Sequence, residues 1–325
     1  MLRKTVKALM AVATLTLAAG QAEAQWKPSQ DVKIMIGFAP GGGGDTLTRL
    51  VGAALEPHFG KKVIVDNSNA GANGFIAAEQ AAKAKPDGHT AVFVTMSMLT
   101  VAPYLPGNTL PIDIHKALMP IGVMADIPMI MVTYQNAPFN TVPELLARAK
   151  ANPGKMSFAS GGVGSIGHVG GEFINLVSGT DILHVPYRGG APAMIDLMAG
   201  RVDIQIGPMP DFVGAIAEKK LKPVALASPE PVALYPGLPF IKDSVPGFVA
   251  QNWFALMAPA GTPPDAIKAW NDALAKVMAD PDVRKKLADN GFIPMKGTVD
   301  EMVALTKDGQ ARWPKVIQDA TIKVE

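Results

Sequence analysis

Two segments of the 325-residue chain place glycines where backbone N–H groups can be turned toward a ligand. Val32-Lys33-Ile34-Met35-Ile36 runs into Pro40-Gly41-Gly42-Gly43-Gly44-Asp45 and then a helical pattern. Met156-Ser157-Phe158 runs into Ser160-Gly161-Gly162-Val163-Gly164-Ser165 and then another. A glycine-rich turn after a strand lets donors point into open space, and the helix behind it adds about half a positive charge at its N-terminus. Each loop is therefore receptive to a small anion. One such loop arises readily for steric reasons alone. Two of them, in separate halves of the chain, favour a pair that grips one small anion from both sides.

Nucleotide chemistry fits these loops less well. A Walker A loop needs G-x-x-x-x-G-K-[ST], and no lysine follows either loop to neutralise phosphate. The dinucleotide pattern G-x-G-x-x-G is not met by Gly41, Gly43 and Gly44, although Asp66 stands at a suitable distance downstream. Ser165 and His168 are three apart at a helix start and define a rival reading, a hydrolase-type enzyme, but G-x-S-x-G is absent and no acid is placed to orient the imidazole. His58, His89, His115, His168 and His184 show no metal-ligand spacing. Neither a cofactor nor a metal is expected.

Smaller features add candidate ligand contacts. Thr95-Met96-Ser97-Met98 follows a strand, where ligands of open α/β sheets collect. Ala70-Gly71-Ala72-Asn73-Gly74 is another donor turn before a helix. Tyr187-Arg188-Gly189-Gly190 offers an aromatic and a cation, although a solvated Arg188 is the simpler reading. Met209 and Asp211, after the strand ending at Ile206, can face a ligand or serve core and surface roles.

These residues need a scaffold, and the pattern supplies an α/β one with a mainly parallel sheet. Strands are expected over Val32 to Phe38, Val63 to Asp66 and Thr90 to Thr95, with helices over Thr46 to His58 and Gly74 to Lys83. After a long apolar stretch around Ile121 to Thr133, the capping pattern Thr141-Val142-Pro143-Glu144 opens a helix running to about Ala151. A second α/β unit follows. Its strands are expected over Met156 to Ala159, Asp181 to Val185, Val202 to Ile206 and Pro223 to Ala227. Its helices are expected over Ser165 to Val177 and Ala191 to Met198, with a helix end at Ala215 to Glu218. A Pro-rich loop (229–246), a strand from Trp253 to Ala258 and three helices complete the chain, the last opened by Thr298-Val299-Asp300-Glu301. Those helices lack interleaved strands and are assigned to the first unit. The expected organisation is a leader over 1–24, a first domain of 25–125 plus 249–325, and a second of 126–248, with crossings near Met124 to Asp126 and Phe248 to Asn252.

The leader rests on Arg3, Lys4 and Lys7, an apolar run from Ala8 to Gly20 too short to span a bilayer, and Ala22-Glu23-Ala24, which together form a secretory signal. The full chain has 30 Lys and Arg against 28 Asp and Glu; a leader taking three of the first and one of the second leaves 27 of each. A neutral exported protein has little electrostatic reason to hold nucleic acid or an anionic membrane. Cysteine is absent, which excludes disulfides and thiol chemistry.

Several motifs then match one family in order. Trp26-Lys27-Pro28, Phe38-Ala39-Pro40-Gly41-Gly42-Gly43-Gly44-Asp45, Pro86-Asp87-Gly88-His89-Thr90, Ser160-Gly161-Gly162-Val163-Gly164-Ser165, His184-Val185-Pro186-Tyr187-Arg188-Gly189-Gly190-Ala191-Pro192-Ala193 and Ala258-Pro259-Ala260-Gly261-Thr262-Pro263 resemble the Bug-type (tripartite tricarboxylate transporter) solute-binding receptors over essentially all of residues 25 to 325. The resemblance implies a two-domain, Venus-flytrap α/β architecture with the ligand cleft between domains. It also implies a periplasmic location and a receptor without catalysis that closes on a small organic acid and delivers it to two membrane transporter subunits. A receptor feeding a signalling protein is the alternative partner. In such receptors the two loops act as a carboxylate pincer assisted by ordered waters. The expected ligand-binding set is Phe38, Gly42, Gly43, Asp45, Asn73, Ser97, Gly161, Gly162, Gly164, Ser165, His168 and Met209, in a chain expected to be a monomer. The chain departs from the family where Met96-Ser97-Met98 replaces a small, polar segment and where Gly207 stands in place of a frequent Asp. Methionines at that wall would suit a longer aliphatic or an aromatic mono- or dicarboxylate.

Overall fold

The computed structural model describes residues 26–228, 230–248, 250–319 and 321–322; the expected leader falls outside the described residues. In chain order the first lobe begins with β1 (Val32–Met35), α1 (Gly43–Phe59), β2 (Val63–Asp66), α2 (Phe75–Ala82), β3 (Thr90–Thr95), α3 (Met96–Thr100), α4 (Ile114–Ala117) and β4 (Leu118–Asp126). The second lobe follows with β5 (Met129–Tyr134), α5 (Val142–Ala151), β6 (Met156–Ser160), α6 (Ile166–Ser178), β7 (Ile182–Pro186), α7 (Gly190–Met198), β8 (Ile204–Pro208), α8 (Met209–Ala217) and β9 (Leu221–Leu226). The chain then returns as β10 (Trp253–Pro259), α9 (Pro264–Ala279), α10 (Pro281–Asp289), β11 (Ile293–Pro294) and α11 (Val299–Asp319).

These strands form two sheets, ordered β11-β4-β10-β3-β1-β2 and β7-β6-β8-β5-β9. β1 pairs in parallel with β2 and β3, and β6 with β7 and β8, so both sheets have the parallel centre that alternating strands and helices demand. Each sheet also holds antiparallel strands. β10 runs against β3 and β4, and β5 runs against β8 and β9. The apolar stretch from Ile121 to Thr133 is therefore two strands in different sheets, broken at Ile127-Pro128. Proline lacks the N–H a continuing ladder would need and fixes the change of direction.

The two crossings lie side by side. Trp253 pairs with Asp126 in one sheet and Ile130 with Leu226 in the other. Between them, the Ile127 N–H donates to Asn252 O at 2.9 Å and the Ala227 N–H to Met129 O at 2.9 Å. The Ser228 hydroxyl accepts from the Met129 N–H at 2.6 Å. The two lobes are therefore joined through two adjacent, hydrogen-bonded crossings.

Helix faces follow the apolar spacing. α1 buries Leu47, Val51 and Leu55 at intervals of four and packs this stripe on the first sheet. α6 comes so close to β6 that a Cβ at Gly171 would enter the Phe158 ring, which explains the glycine without any functional role. Two local expectations change. Met96-Ser97-Met98 is a turn of helix capped by the Thr95 hydroxyl, with Met96 and Met98 buried in the core. Met209 opens a full helix, with Pro210 in its first turn, where only a helix end near Ala215 was legible.

Candidate functional site

A cavity of about 70 Å³ lies where the ends of β1, β3, β6 and β8 converge, the place an open α/β sheet reserves for a ligand. The helix α1 starts three residues earlier than expected, so Gly43 and Gly44 form its first turn and Gly42 its cap. First-turn N–H groups have no intrahelical acceptor. Gly42, Gly43 and Asp45 of α1 reach the cavity from one lobe, and Gly161, Ser165, Ile166 and Gly167 at the start of α6 from the other. Gly190, first residue of α7, brings a third helix start to the same space.

Side chains complete the wall. Phe38, Phe93 and Phe254 stack edge to face, with ring centroids 5.8 Å and 4.8 Å apart, and supply an apolar floor. Asn73, Ser97 and Gln205 add polar groups. Among the described residues, the Asn73 Nδ2 and Gln205 Oε1 atoms are buried without a hydrogen-bond partner, although these residues are only 4% and 1% exposed. Buried polar atoms in native proteins are normally paired. One unpaired donor and one unpaired acceptor facing the same small space point to a missing polar molecule.

Two carboxylates flank the α1 start with opposite electrostatics. Asp45 is held below its ordinary value: burial opposes its ionisation, but hydrogen bonds from Arg49, Gly41 and Asn67 and the Arg49 charge outweigh it. The Arg49 Nη2 lies 2.9 Å from it, the Gly41 N–H donates at 3.0 Å and the Asn67 Nδ2 at 3.1 Å. Asp211, on α8 of the second lobe, accepts a hydrogen bond across the cleft from the Gly43 N–H. Burial pushes its carboxyl up to about 6, with the Gly43 N–H opposing.

Of the expected set, the structure brings Phe38, Gly42, Gly43, Asp45, Asn73, Ser97, Gly161 and Ser165 to this cavity. Four fall outside its wall. Gly162 has φ 130° and turns toward Asn73 and Tyr187. Gly164 spends its N–H on the His168 Nδ1 at 3.2 Å. Met209 is 2% exposed in the core of the second lobe. His168 stacks on His184 with centroids 4.2 Å apart, and burial lowers the two imidazoles to about 4 and about 3, His184 further through the neighbouring His168. The Ser165 hydroxyl accepts from the His168 backbone N–H at 3.3 Å as a helix cap, while the His168 Nδ1 accepts from the Gly164 N–H. Met96 and Met98 make no part of the wall; its apolar surface comes from the three phenylalanines together with Met129, Ile166 and Ile206. Gln205 and Phe254 were missed because each sits mid-strand in an apolar run, where nothing local marks the inward face as lining a cavity.

Two α/β lobes joined by paired strands, with helix starts from both facing one cavity, define a two-lobed solute-binding fold. Residues 47–322 match the family described as "Tripartite tricarboxylate transporter family receptor", and the chain belongs to that family. BugT of Bordetella pertussis (strain Tohama I) is 31% identical over 97% of this chain and 96% of its own. Among solved structures, R. palustris Rpa4515 with adipate is 30% identical with a TM-score of 0.86, over 91% of this chain and 99% of that one. MatC from Rhodopseudomonas palustris with bound malate is 27% identical with a TM-score of 0.83, over 89% and 99%.

Proposed function

We propose that this protein is a periplasmic receptor that binds a small organic carboxylate between lobes 25–125 plus 249–325 and 126–248, closes on it about a hinge at the two crossings, and presents it as a monomer to two membrane transporter subunits. The observation that carries the reading is the convergence of helix starts from both lobes on a cavity holding the unpaired Asn73 Nδ2 and Gln205 Oε1. Helix N-termini favour anions, and donors on two lobes make the ligand the bridge that stabilises closure. Hydrogen bonds to a charged group contribute about 1.5–3 kcal/mol each, so two or three spanning the lobes bias the hinge by several kcal/mol. The adipate and malate bound by the two R. palustris relatives support the ligand class. Met96 and Met98 are absent from the wall, and the phenylalanine floor supplies apolar surface in their place. The leader residues support export.

A thermal-shift screen of mono- and dicarboxylates, followed by calorimetry, tests this. A ligand at a hundred times its Kd stabilises by about 2.7 kcal/mol, a shift of several degrees. A panel in which no carboxylate raises the melting temperature refutes the reading. Uptake that is lost on deleting the membrane subunits supports a transporter partner; uptake unaffected by that deletion favours a signalling partner.

A further inference from the structure

The carboxylate of Asp211 occupies a place the recognition scheme leaves for something else. α8 carries it to the start of α1, where it accepts the Gly43 N–H, 168 residues away in sequence and on the opposite lobe. The fit is close on both sides. A Cβ at Gly43 would lie 2.7 Å from Asp211 Oδ1, and a Cβ at Gly190 would overlap Oδ2, so glycine at both positions makes room for this one side chain. Asp211 and the unpaired Asn73 Nδ2 and Gln205 Oε1 share the cavity wall.

The surroundings offer this carboxylate little cationic help. α8 bears no other ionisable side chain. On α1, Asp45, Arg49, Glu56 and His58 are ionisable, and of these only Asp45 shares the cavity wall, with its charge committed to Arg49. On α7, Asp196 is bound by the Tyr187 hydroxyl at 2.8 Å and by Arg201 at 2.7 Å. On β5 and β9 the groups are Tyr134 and Lys222, and Lys222 donates to Ala137 O and Asn140 Oδ1. An anionic ligand entering beside Asp211 therefore meets a like charge in a confined space, where two carboxylates together retain one proton.

We propose that Asp211 is a proton-controlled selector of the cleft: a part-buried carboxylate held between the lobes that takes up one proton from solvent as they close, and that then donates it as a hydrogen bond to the ligand carboxylate. With the lobes together burial pushes this carboxyl up to about 6; opening the cleft to solvent would return it toward its ordinary 3.8. A group whose value rises on closure favours the closed form at low pH, and that advantage is lost as pH rises through the upper value. Between pH 7 and 4.5 the closed-to-open ratio should rise roughly twenty-five-fold. The ligand part of the proposal rests on the carboxylate reading above; closure itself does not.

The chain has no cysteine, so Lys150→Cys on α5 and Lys276→Cys on α9 give two labelling sites, one on each lobe, for energy transfer across the cleft. Without ligand, closure should increase on acidification in the wild type and be flat in Asp211→Asn and Asp211→Ala. Calorimetry with malate and adipate, read as wild type relative to Asp211→Asn at each pH so that the acids' own titration cancels, should show wild-type binding weakening relative to the variant as pH rises. A ligand-free profile that is flat in the wild type, or unchanged in both variants, overturns the proposal. If neither acid binds at any pH while ligand-free closure follows Asp211, the carboxylate reading falls and proton-controlled closure stands.

Discussion

Replacing Gln205 by Met should make the ligand-free protein more stable and its ligand binding weaker. Gln205 is 1% exposed on the central strand β8, pointing into the cavity with Oε1 unpaired. A buried acceptor without a donor costs about 1–3 kcal/mol, because it has given up water and gained nothing. Methionine keeps the length and unbranched shape and removes that atom. At about 2 °C per kcal/mol for a chain of this size, the melting temperature should rise by about 2–6 °C. The bound state loses one hydrogen bond, about 1 kcal/mol, while the free state gains about 1–3 kcal/mol, so the two together weaken binding by about 2–4 kcal/mol and affinity should fall roughly thirty- to several-hundredfold. Calorimetric melting of the free protein and titration with the strongest ligand from the carboxylate screen read both quantities. A lower melting temperature with unchanged affinity would refute the reasoning, because Oε1 would then be serving the fold and not awaiting a ligand.

Gly42→Val should leave the ligand-free melting temperature within about a degree, since φ there is −82° and a Cβ has its nearest neighbours at 3.8 Å. Those neighbours, Ala191 and Asp211, belong to the other lobe, so the added branches prop the cleft open and the ligand-induced thermal shift should vanish; a full shift in the variant would count against closure at this point. The buried imidazoles of His168 and His184 are lowered to about 4 and about 3. Lowered values mean the native state binds fewer protons, so the stability they contribute is complete above pH 6.5 and is lost as pH falls toward 4, by about 3 kcal/mol for His168 alone. Urea midpoints of the wild type read against those of His168→Gln should show it, the wild type losing stability relative to the variant as pH falls. Thr141→Ala removes the cap that accepts the Glu144 N–H at 3.3 Å and should destabilise by about 1 kcal/mol without altering ligand affinity, a control for effects on the hinge.

The parts of this molecule that could be read from sequence are those written locally. The glycine runs before α1 and α6, the Thr141 cap and the four-residue apolar stripe of α1 each depend on residues within one or two turns. The break at Ile127-Pro128 was harder to read. Ile121 to Thr133 is apolar but for Asp126 and the terminal Thr133 because both strands are largely buried on two faces, and burial on both faces erases the alternation that would mark where one strand ends. The methionines near Ser97 misled for a related reason. A short segment after a strand carries no period, so the helical turn that sends Met96 and Met98 into the core and leaves Ser97 on the cavity wall is set by the Thr95 cap and by packing.

The cleft itself depends on contacts that no local pattern encodes. Gly190 reads as the start of a helix and Gly43 as part of an anion loop, yet the structure gives each a steric duty toward Asp211 on a third element. The protein also carries two acid responses of opposite sign. Protonation of the His168 and His184 pair weakens the fold, whereas protonation of Asp211 favours the joined lobes. Both operate in the window between about pH 6.5 and 4. A global melting experiment sums them, and only a readout of lobe separation isolates Asp211. A wild-type stability profile with little net slope would therefore not argue against either group; the His168→Gln and Asp211→Asn profiles, diverging in opposite directions on acidification, separate the two.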